Sequence, residues 1–137
     1  MVKAMIVEGH PPFRQTLENI FDSRFPFIET RTVEDGKQAI ETFESFLPDL
    51  ILVNVKLPNE NGLELSRRIK SLYPHVILIL LASHDAPEYR KAACASGADY
   101  FITEESALDD YIVLMKEALS GVENSPRQNS RIRYFRP

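Results

Sequence analysis

The sequence predicts an α/β domain built on a parallel sheet, and two features of the chain carry that prediction. Uninterrupted apolar runs at residues 50–53 and 76–81 are typical of strands that are buried on both faces, as in parallel sheets. Five strand patterns also alternate with five helix patterns along the chain. Right-handed crossovers between such strands place helices on both faces of the sheet, which gives three layers.

The first half of the chain contains three of the predicted strands, at residues 2–7, 28–33 and 50–53. Paired prolines begin the helix after the first strand, and its apolar stripe is formed by Phe13, Leu17, Ile20 and Phe21. A second helix after Asp35-Gly36 has a predicted inner face formed by Ala39, Ile40, Phe43 and Leu47. Proline residues at 26 and 48 end these two helices.

The second half continues the alternation. A helix at residues 62–72 precedes the strand at 76–81, and a helix at 86–96 closes at Gly97 before a short strand at 100–102. We expect Ser106 to cap the last helix and Gly121 to end it. The apolar stripe of that helix comprises Leu108, Tyr111, Ile112, Met115 and Leu119.

Apolarity also ranks the strands. The second strand alternates apolar with polar residues and the fifth is short, so both are expected at the edges, with the first, third and fourth in the centre. This arrangement is the flavodoxin-like (βα)5 three-layer sandwich, with a five-stranded parallel sheet of order 2-1-3-4-5. We assign residues 1–120 to this domain and residues 121–137 to a basic, linker-like C-terminal tail.

Composition excludes several classes of protein. The single cysteine, Cys94, lies among alanines and is expected to be a small packing residue. No apolar run approaches the roughly 20 residues of a membrane span, and no signal peptide is recognisable, so we expect a cytoplasmic protein without membrane contact. A nucleotide-binding site is set aside because no glycine-rich loop follows the first strand.

The net charge of −4 is unevenly distributed. Four arginines against one glutamate give residues 121–137 a charge of +3, which leaves −7 on residues 1–120. We therefore expect no direct nucleic-acid binding by the domain. The tail is interpreted as a solvated extension rather than as a contact for an acidic partner.

The candidate site lies where the strands end. In the predicted order the topological switch falls between the first and third strands, and open α/β sheets place their sites just beyond the carboxyl ends of such strands. Asn54 follows the third strand directly and is displayed at this edge. The other residues expected to line the cleft are residues 8–10, 55–56, 82–84 and 103–104.

Four motifs resemble those of response-regulator receiver (CheY-like) domains over residues 1 to about 120: IVEGHPPFR, PDLILVNVKLP, NGLEL and ASGADYF. Within that family the chain is most similar to receivers of the NarL/FixJ (LuxR-type) class, which precede a DNA-binding module. The resemblance implies a phosphoaccepting aspartate after the third strand and two acidic residues after the first. It also implies a serine or threonine after the fourth strand and a lysine after the fifth.

The chain departs from this pattern at four of the five chemical positions. Only Glu8 of the acidic pair matches, while Phe101 matches the aromatic position that the family uses as a switch. The departures are Gly9 in the acidic pair, Asn54 at the acceptor, Ala82 at the hydroxyl and Glu104 at the lysine. All four departures fall at positions with a chemical role in the family, whereas the positions that specify the fold match the family pattern.

These replacements predict a pseudo-receiver that has no catalytic residues and is not an enzyme. The amide of Asn54 is not a nucleophile, and Glu8 alone is a poor site for Mg²⁺, so we expect no cofactor or metal. Glu104 would repel a phosphoryl group, and Ala82 cannot donate a hydrogen bond to one. Signalling would then proceed through protein–protein contacts without phosphorylation.

Three arrangements of the pocket remain open from the sequence. Glu8 and Glu104 could share a cation with the carbonyl oxygen of Asn54, Glu104 could accept a hydrogen bond from the Asn54 amide, or Glu104 could point into water. Two histidines, His10 and His84, are interpreted as solvated loop residues, because no other metal ligands accompany them.

A protein partner is expected, and a homodimer through the fourth helix, fifth strand and fifth helix is one form of it. The candidate interface residues are Arg90, Lys91, Tyr100, Glu105, Asp109, Asp110 and Tyr111. Two alternatives remain. The chain could be a phosphorylation-competent receiver with non-standard residues, or the N-terminal receiver part of a longer DNA-binding transcriptional regulator.

Overall fold

The computed structural model describes residues 1–123 and 133–134. Its strands are β1 (Lys3–Val7), β2 (Glu29–Val33), β3 (Leu50–Asn54), β4 (Ile77–Ala82), β5 (Tyr100–Thr103) and β6 (Arg133–Tyr134). Its helices are α1 (Pro11–Arg24), α2 (Gly36–Phe46), α3 (Gly62–Leu72), α4 (Pro87–Ser96) and α5 (Leu108–Glu123). A short antiparallel hairpin, Lys56–Leu57 with Glu60–Asn61, joins β3 to α3.

The sheet confirms the predicted fold class and strand order. Its order is β2-β1-β3-β4-β5-β6, and every neighbouring pair is parallel. The first five strands form the predicted flavodoxin-like sheet, with β2 at one edge. The sixth strand was not predicted, because two residues of the basic tail carry no periodic signal; the rest of that tail, residues 124–132 and 135–137, lies outside the described residues.

Strict alternation along the buried strands creates two apolar layers. In β4, Ile77, Ile79 and Leu81 pack with α1 and α5, whereas Leu78 and Leu80 pack with α2, α3 and α4. All five side chains are buried. An apolar residue is therefore needed at every position of the strand, which explains the unbroken run in the sequence.

Details at helix ends differ from the predictions. Leu47 was wrongly placed on the inner face of α2: it adopts the left-handed conformation that ends the helix, with φ of 51°, and its side chain is exposed. Gly97 ends α4 in the left-handed conformation, as predicted. Helix α5 continues through Gly121 to Glu123.

Two further local predictions were wrong. Cys94 lies on the exposed side of α4, where Ala93 is the neighbour that packs into the core. Ser106 was expected to cap α5, but its hydroxyl contacts the Thr103 hydroxyl. A carboxylate oxygen of Asp110 instead accepts the hydrogen bond from the Ala107 N–H at the start of this helix.

Within the described residues, no helix has the length and apolar character that crossing a membrane requires.

A buried ion pair joins α3 to the end of α4. Asp99 is fully buried, and one of its carboxylate oxygens accepts hydrogen bonds from Lys70 Nζ at 3.1 Å and from the Leu78 N–H at 2.9 Å. The Lys70 ammonium also donates to the carbonyl oxygens of Pro74 and Val76. This pair therefore fixes the entry of β4 and β5 into the sheet.

We expect Lys70→Met to lower the free energy of unfolding by about 3 kcal/mol, because it leaves the buried Asp99 carboxylate without its cation. Urea unfolding followed by circular dichroism measures the loss. Arg67→Met, at an exposed position of the same helix, is the matched control and should change stability by no more than about 0.5 kcal/mol. Equal effects of the two variants would contradict the importance of the ion pair.

Candidate functional site

The candidate site is formed where β1, β3 and β5 end. Asn54 is the last residue of β3, and only 4% of the residue is exposed. Glu8 directly follows β1 and is also buried. Asn54 Nδ2 donates a hydrogen bond of 2.6 Å to Glu8 Oε1, so the structure joins the two residues that the sequence placed at neighbouring strand ends.

The orientation of the Asn54 amide is set by its hydrogen-bond partners. Its oxygen Oδ1 accepts the backbone N–H of Lys56 at 2.9 Å, which leaves Nδ2 facing Glu8. The second oxygen of Glu8 accepts the backbone N–H of His10 at 3.0 Å. Reversing the amide would put its oxygen against a carboxylate oxygen and a donor against a donor.

Glu104 completes the group from the end of β5. Asn54 Nδ2 also lies 3.5 Å from Glu104 Oε2, which is a long hydrogen bond. Of the three arrangements considered from the sequence, the structure therefore has the one in which Glu104 accepts from the Asn54 amide. One neutral NH2 group faces two carboxylates, and no carboxamide oxygen is directed toward them.

Two other positions of the resemblance offer no polar side chain. Ala82 ends β4 and is fully buried, and its carbonyl oxygen accepts the Glu104 N–H at 2.8 Å. Phe101 is fully buried in the layer covered by α2, α3 and α4. Both predicted histidines, His10 and His84, are exposed, in agreement with solvated loop residues.

Gly9 allows an unusually close approach of the β3–α3 connection. A Cβ atom at this position would lie 2.3 Å from Pro58 Cδ and 2.6 Å from its Cγ. Pro58 therefore occupies the space that any side chain at position 9 would need. The absence of an acidic residue here is a steric feature of the pocket as well as a chemical one.

The same connection contacts the strand end a second time. A Cβ atom on Gly62 would lie 1.9 Å from the Asn54 carbonyl oxygen, and the Gly62 N–H donates to Val55 O at 2.7 Å. A carboxylate oxygen of Glu60 accepts the Gly36 N–H at 2.8 Å, at the start of α2. These contacts hold the loop against the sheet around Asn54.

Sequence reasoning missed the part that Tyr111 has in the site. Tyr111 belongs to the apolar stripe of α5, but its hydroxyl donates to the Thr103 carbonyl oxygen at 2.8 Å. Burial raises the pKa of this hydroxyl well above its ordinary range, and the carboxylates of Glu104 and Glu8 raise it further. The hydroxyl therefore stays protonated and ties α5 to the end of β5.

The predicted interface residues separate into two groups. Tyr100 and Tyr111 are buried, so assigning them to an exposed contact surface was wrong; both face the layer that α1 and α5 cover. Lys91, Glu105 and Asp109 are exposed, and Asp110 and Arg90 are partly so.

Arg90 is also held within its own domain. Its guanidinium makes a two-pronged contact with the Asp85 carboxylate, including a hydrogen bond of 2.6 Å from Nε. This contact orients the loop between β4 and α4. It also reduces the freedom of Arg90 to reach a partner.

Together these contacts define a parallel α/β domain whose carboxyl-edge pocket is closed by its own side chains. Among the described residues there is no group of three or more histidine, cysteine, aspartate or glutamate side chains that could hold a metal ion. The polar atoms in the centre of the pocket bond to one another instead.

Comparison with known proteins identifies the family. The family model described as the response regulator receiver domain matches residues 4–116. The chain belongs to this family.

Individual relatives agree with this assignment. The chain is 29% identical over 120 residues to the transcriptional regulatory protein DegU of Brevibacillus brevis, covering 88% of this chain and 51% of that protein. It is 26% identical over 119 residues to the nitrate/nitrite response regulator protein NarL of Escherichia coli, covering 85% and 54% respectively. Relatives of the NarL type are thus present, as the sequence motifs implied, and the chain spans about half their length.

A solved structure extends the likeness to three dimensions. The signal receiver domain of a signal transduction histidine kinase from Syntrophus aciditrophicus is 27% identical and superposes with a TM-score of 0.81. The alignment covers 94% of this chain and 98% of that domain.

We expect Asn54→Ala to lower the free energy of unfolding by about 1–3 kcal/mol, because it leaves the buried Glu8 carboxylate and the Lys56 N–H without their partner. Chemical denaturation measures the loss. The control is Asn19→Ala, which removes an exposed amide from α1 and should change stability by less than about 0.5 kcal/mol. An Asn54→Ala variant as stable as the control would contradict the expected contribution of the Asn54–Glu8 hydrogen bond to stability.

Proposed function

We propose that the chain is an atypical receiver of two-component signalling that acts without phosphorylation, through contacts with protein partners. The observation that carries the proposal is the hydrogen bond from the Asn54 amide to the buried Glu8 carboxylate. It puts a neutral donor, already bonded, where the family resemblance implies a nucleophilic aspartate. The domain would therefore be a signalling module rather than an enzyme.

The residues of the closed pocket also support the proposal that the domain binds no Mg²⁺. The cation is hard and requires oxygen ligands in near-octahedral geometry. Here the group that faces Glu8 and Glu104 is an N–H donor, and the Asn54 oxygen is bonded to the Lys56 backbone. Pro58 lies where a second acidic side chain would begin. The residues present do not fit the ion, and no step of the proposed function uses it.

The exposed part of the fourth helix, fifth strand and fifth helix is the proposed contact surface for a protein partner. Lys91, Glu105 and Asp109 provide exposed charge of both signs on this surface. Charges at the rim of an interface chiefly affect association rate and specificity. Partner contact, a homodimer included, and a cytoplasmic location remain predictions.

A second candidate concerns the whole protein. The chain covers 51% of DegU and 54% of NarL, and both relatives are named as regulators, one of them transcriptional. We propose as the alternative that this receiver is the N-terminal part of a longer DNA-binding regulator. The downstream reading frame of the gene tests this directly, since a helix-turn-helix coding region must follow.

We expect neither acetyl phosphate with Mg²⁺ nor beryllofluoride with Mg²⁺ to change the amide NMR spectrum, because no carboxylate stands at position 54 to accept either group. A receiver that carries an acceptor aspartate, treated in parallel, verifies the reagents. Shifts localised around Asn54, Ala82 and Glu104 would show a phosphorylation-competent site and overturn the proposal.

We also expect Asn54→Asp alone to gain little phosphorylation from acetyl phosphate. The new carboxylate would face Glu8 and Glu104, and Gly9, Ala82 and Glu104 would still lack the groups that bind a metal and a phosphoryl oxygen. Mass spectrometry of the intact protein measures the modified fraction. The matched control is the same variant with Glu104→Lys added, which supplies a cation; efficient modification of the single variant would contradict the expectation.

A further inference from the structure

Strands β2 and β5, at opposite ends of the five-stranded sheet, differ in what their outer edges present to a neighbouring chain. Strand β2 is exposed along part of its length and carries the charged side chains of Glu29 and Arg31. Charged residues on an edge strand oppose pairing with another sheet. Strand β5, whose sequence is Tyr-Phe-Ile-Thr, has no charge and consists of aromatic and β-branched residues. Such a strand pairs readily when its edge is open.

The outer edge of β5, meaning the side that faces away from β4, is occupied by the chain itself. Strand β6 lies there in parallel, with Tyr100 opposite Arg133 and Phe101 opposite Tyr134. It follows α5 in the chain. A two-residue strand buries little apolar surface. Its main effect is therefore on the backbone hydrogen-bonding groups of β5.

The register shows which backbone groups of β5 are concerned. The Glu104 N–H donates to Ala82 O on the β4 side, and backbone groups alternate in direction along a strand. Those of Phe101 and Thr103 therefore point to the outer edge. With Tyr100 opposite Arg133, the backbone of Arg133 faces this edge, placed to accept from the Phe101 N–H and to donate to Asp99 O.

We propose that β6 is a cover that keeps the outer edge of β5 from pairing with the same edge of a second copy of this chain. The second copy is the partner because the uncovered edge is self-complementary: two uncharged β5 strands related by a two-fold axis present matching donors and acceptors to each other. The opposite edge, β2, has its own charges and needs no cover. The proposal does not rest on the proposed function of the Asn54 pocket.

The test uses the full chain with Arg133→Pro, which removes the backbone N–H that β6 presents to β5. Arg133→Ala is the matched control because it removes the same side chain and keeps that N–H. Amide exchange of Phe101, followed by NMR from micromolar to near-millimolar protein, reports the state of the edge. Sedimentation velocity over the same range reports association.

In the wild-type chain and in Arg133→Ala, the Phe101 amide should exchange slowly at every concentration. In Arg133→Pro, exchange at low concentration should be at least about tenfold faster. At high concentration this variant should associate more strongly than the wild-type chain, and the Phe101 amide should become protected again. The exchange of Ile102, whose N–H points toward β4, is the internal reference and should be the same in all three proteins.

Three results would overturn the proposal. Equal exchange of Phe101 in all three proteins would show that β6 does not cover the edge. An Arg133→Pro chain that exchanges faster yet associates no more than the wild-type chain would show that the edge does not accept a second copy. Added association in which Phe101 stays unprotected would show that another surface is used. A chain truncated after Glu123 must reproduce the Arg133→Pro result, and it replaces that variant if the proline prevents folding.

Discussion

The hydrogen bond between Asn54 and Glu8 links the local geometry of the pocket to the arrangement of the whole sheet. It joins the ends of β1 and β3, the two strands at the topological switch, and its acceptor is almost fully buried. The position of Nδ2 then determines where Glu104 can lie, and the position of Oδ1 determines how the chain leaves β3 at Lys56. Loops from three strands therefore converge on one amide group.

The fold is held by features that do not depend on the chemistry of the pocket. The fold depends on apolar alternation in the strands, on the Lys70–Asp99 ion pair and on glycine where chains approach closely. None of these features requires a phosphoacceptor. A buried carboxylate left without a cation would be costly, and the neutral amide of Asn54 satisfies Glu8 without adding charge.

Much of the fold and part of the site could be predicted from the sequence. The unbroken run in β4 and the alternation in β2 gave the strand order, because burial imposes those periods directly. The meeting of Glu8, Asn54 and Glu104 followed from the shared edge of the strands. The directions of side chains could not be predicted in the same way. Periodicity places Tyr111 on the core face of α5, but it does not show that the hydroxyl reaches Thr103.

Other misses have a different physical origin. The exposed, left-handed Leu47 and the exposed Cys94 depend on where a helix turns away from the core, and a shift of one residue reverses the result. Contacts across loops, such as that of Pro58 with Gly9, arise from tertiary packing that no local pattern encodes.

The contact between Pro58 and Gly9 also has a consequence for protein engineering. A side chain can be introduced at position 9 only if the loop that carries Pro58 moves away from the sheet. A variant with new carboxylates at positions 9 and 54 therefore needs a change at position 58 as well. The packing of one proline thus limits which side chains this edge of the sheet accepts.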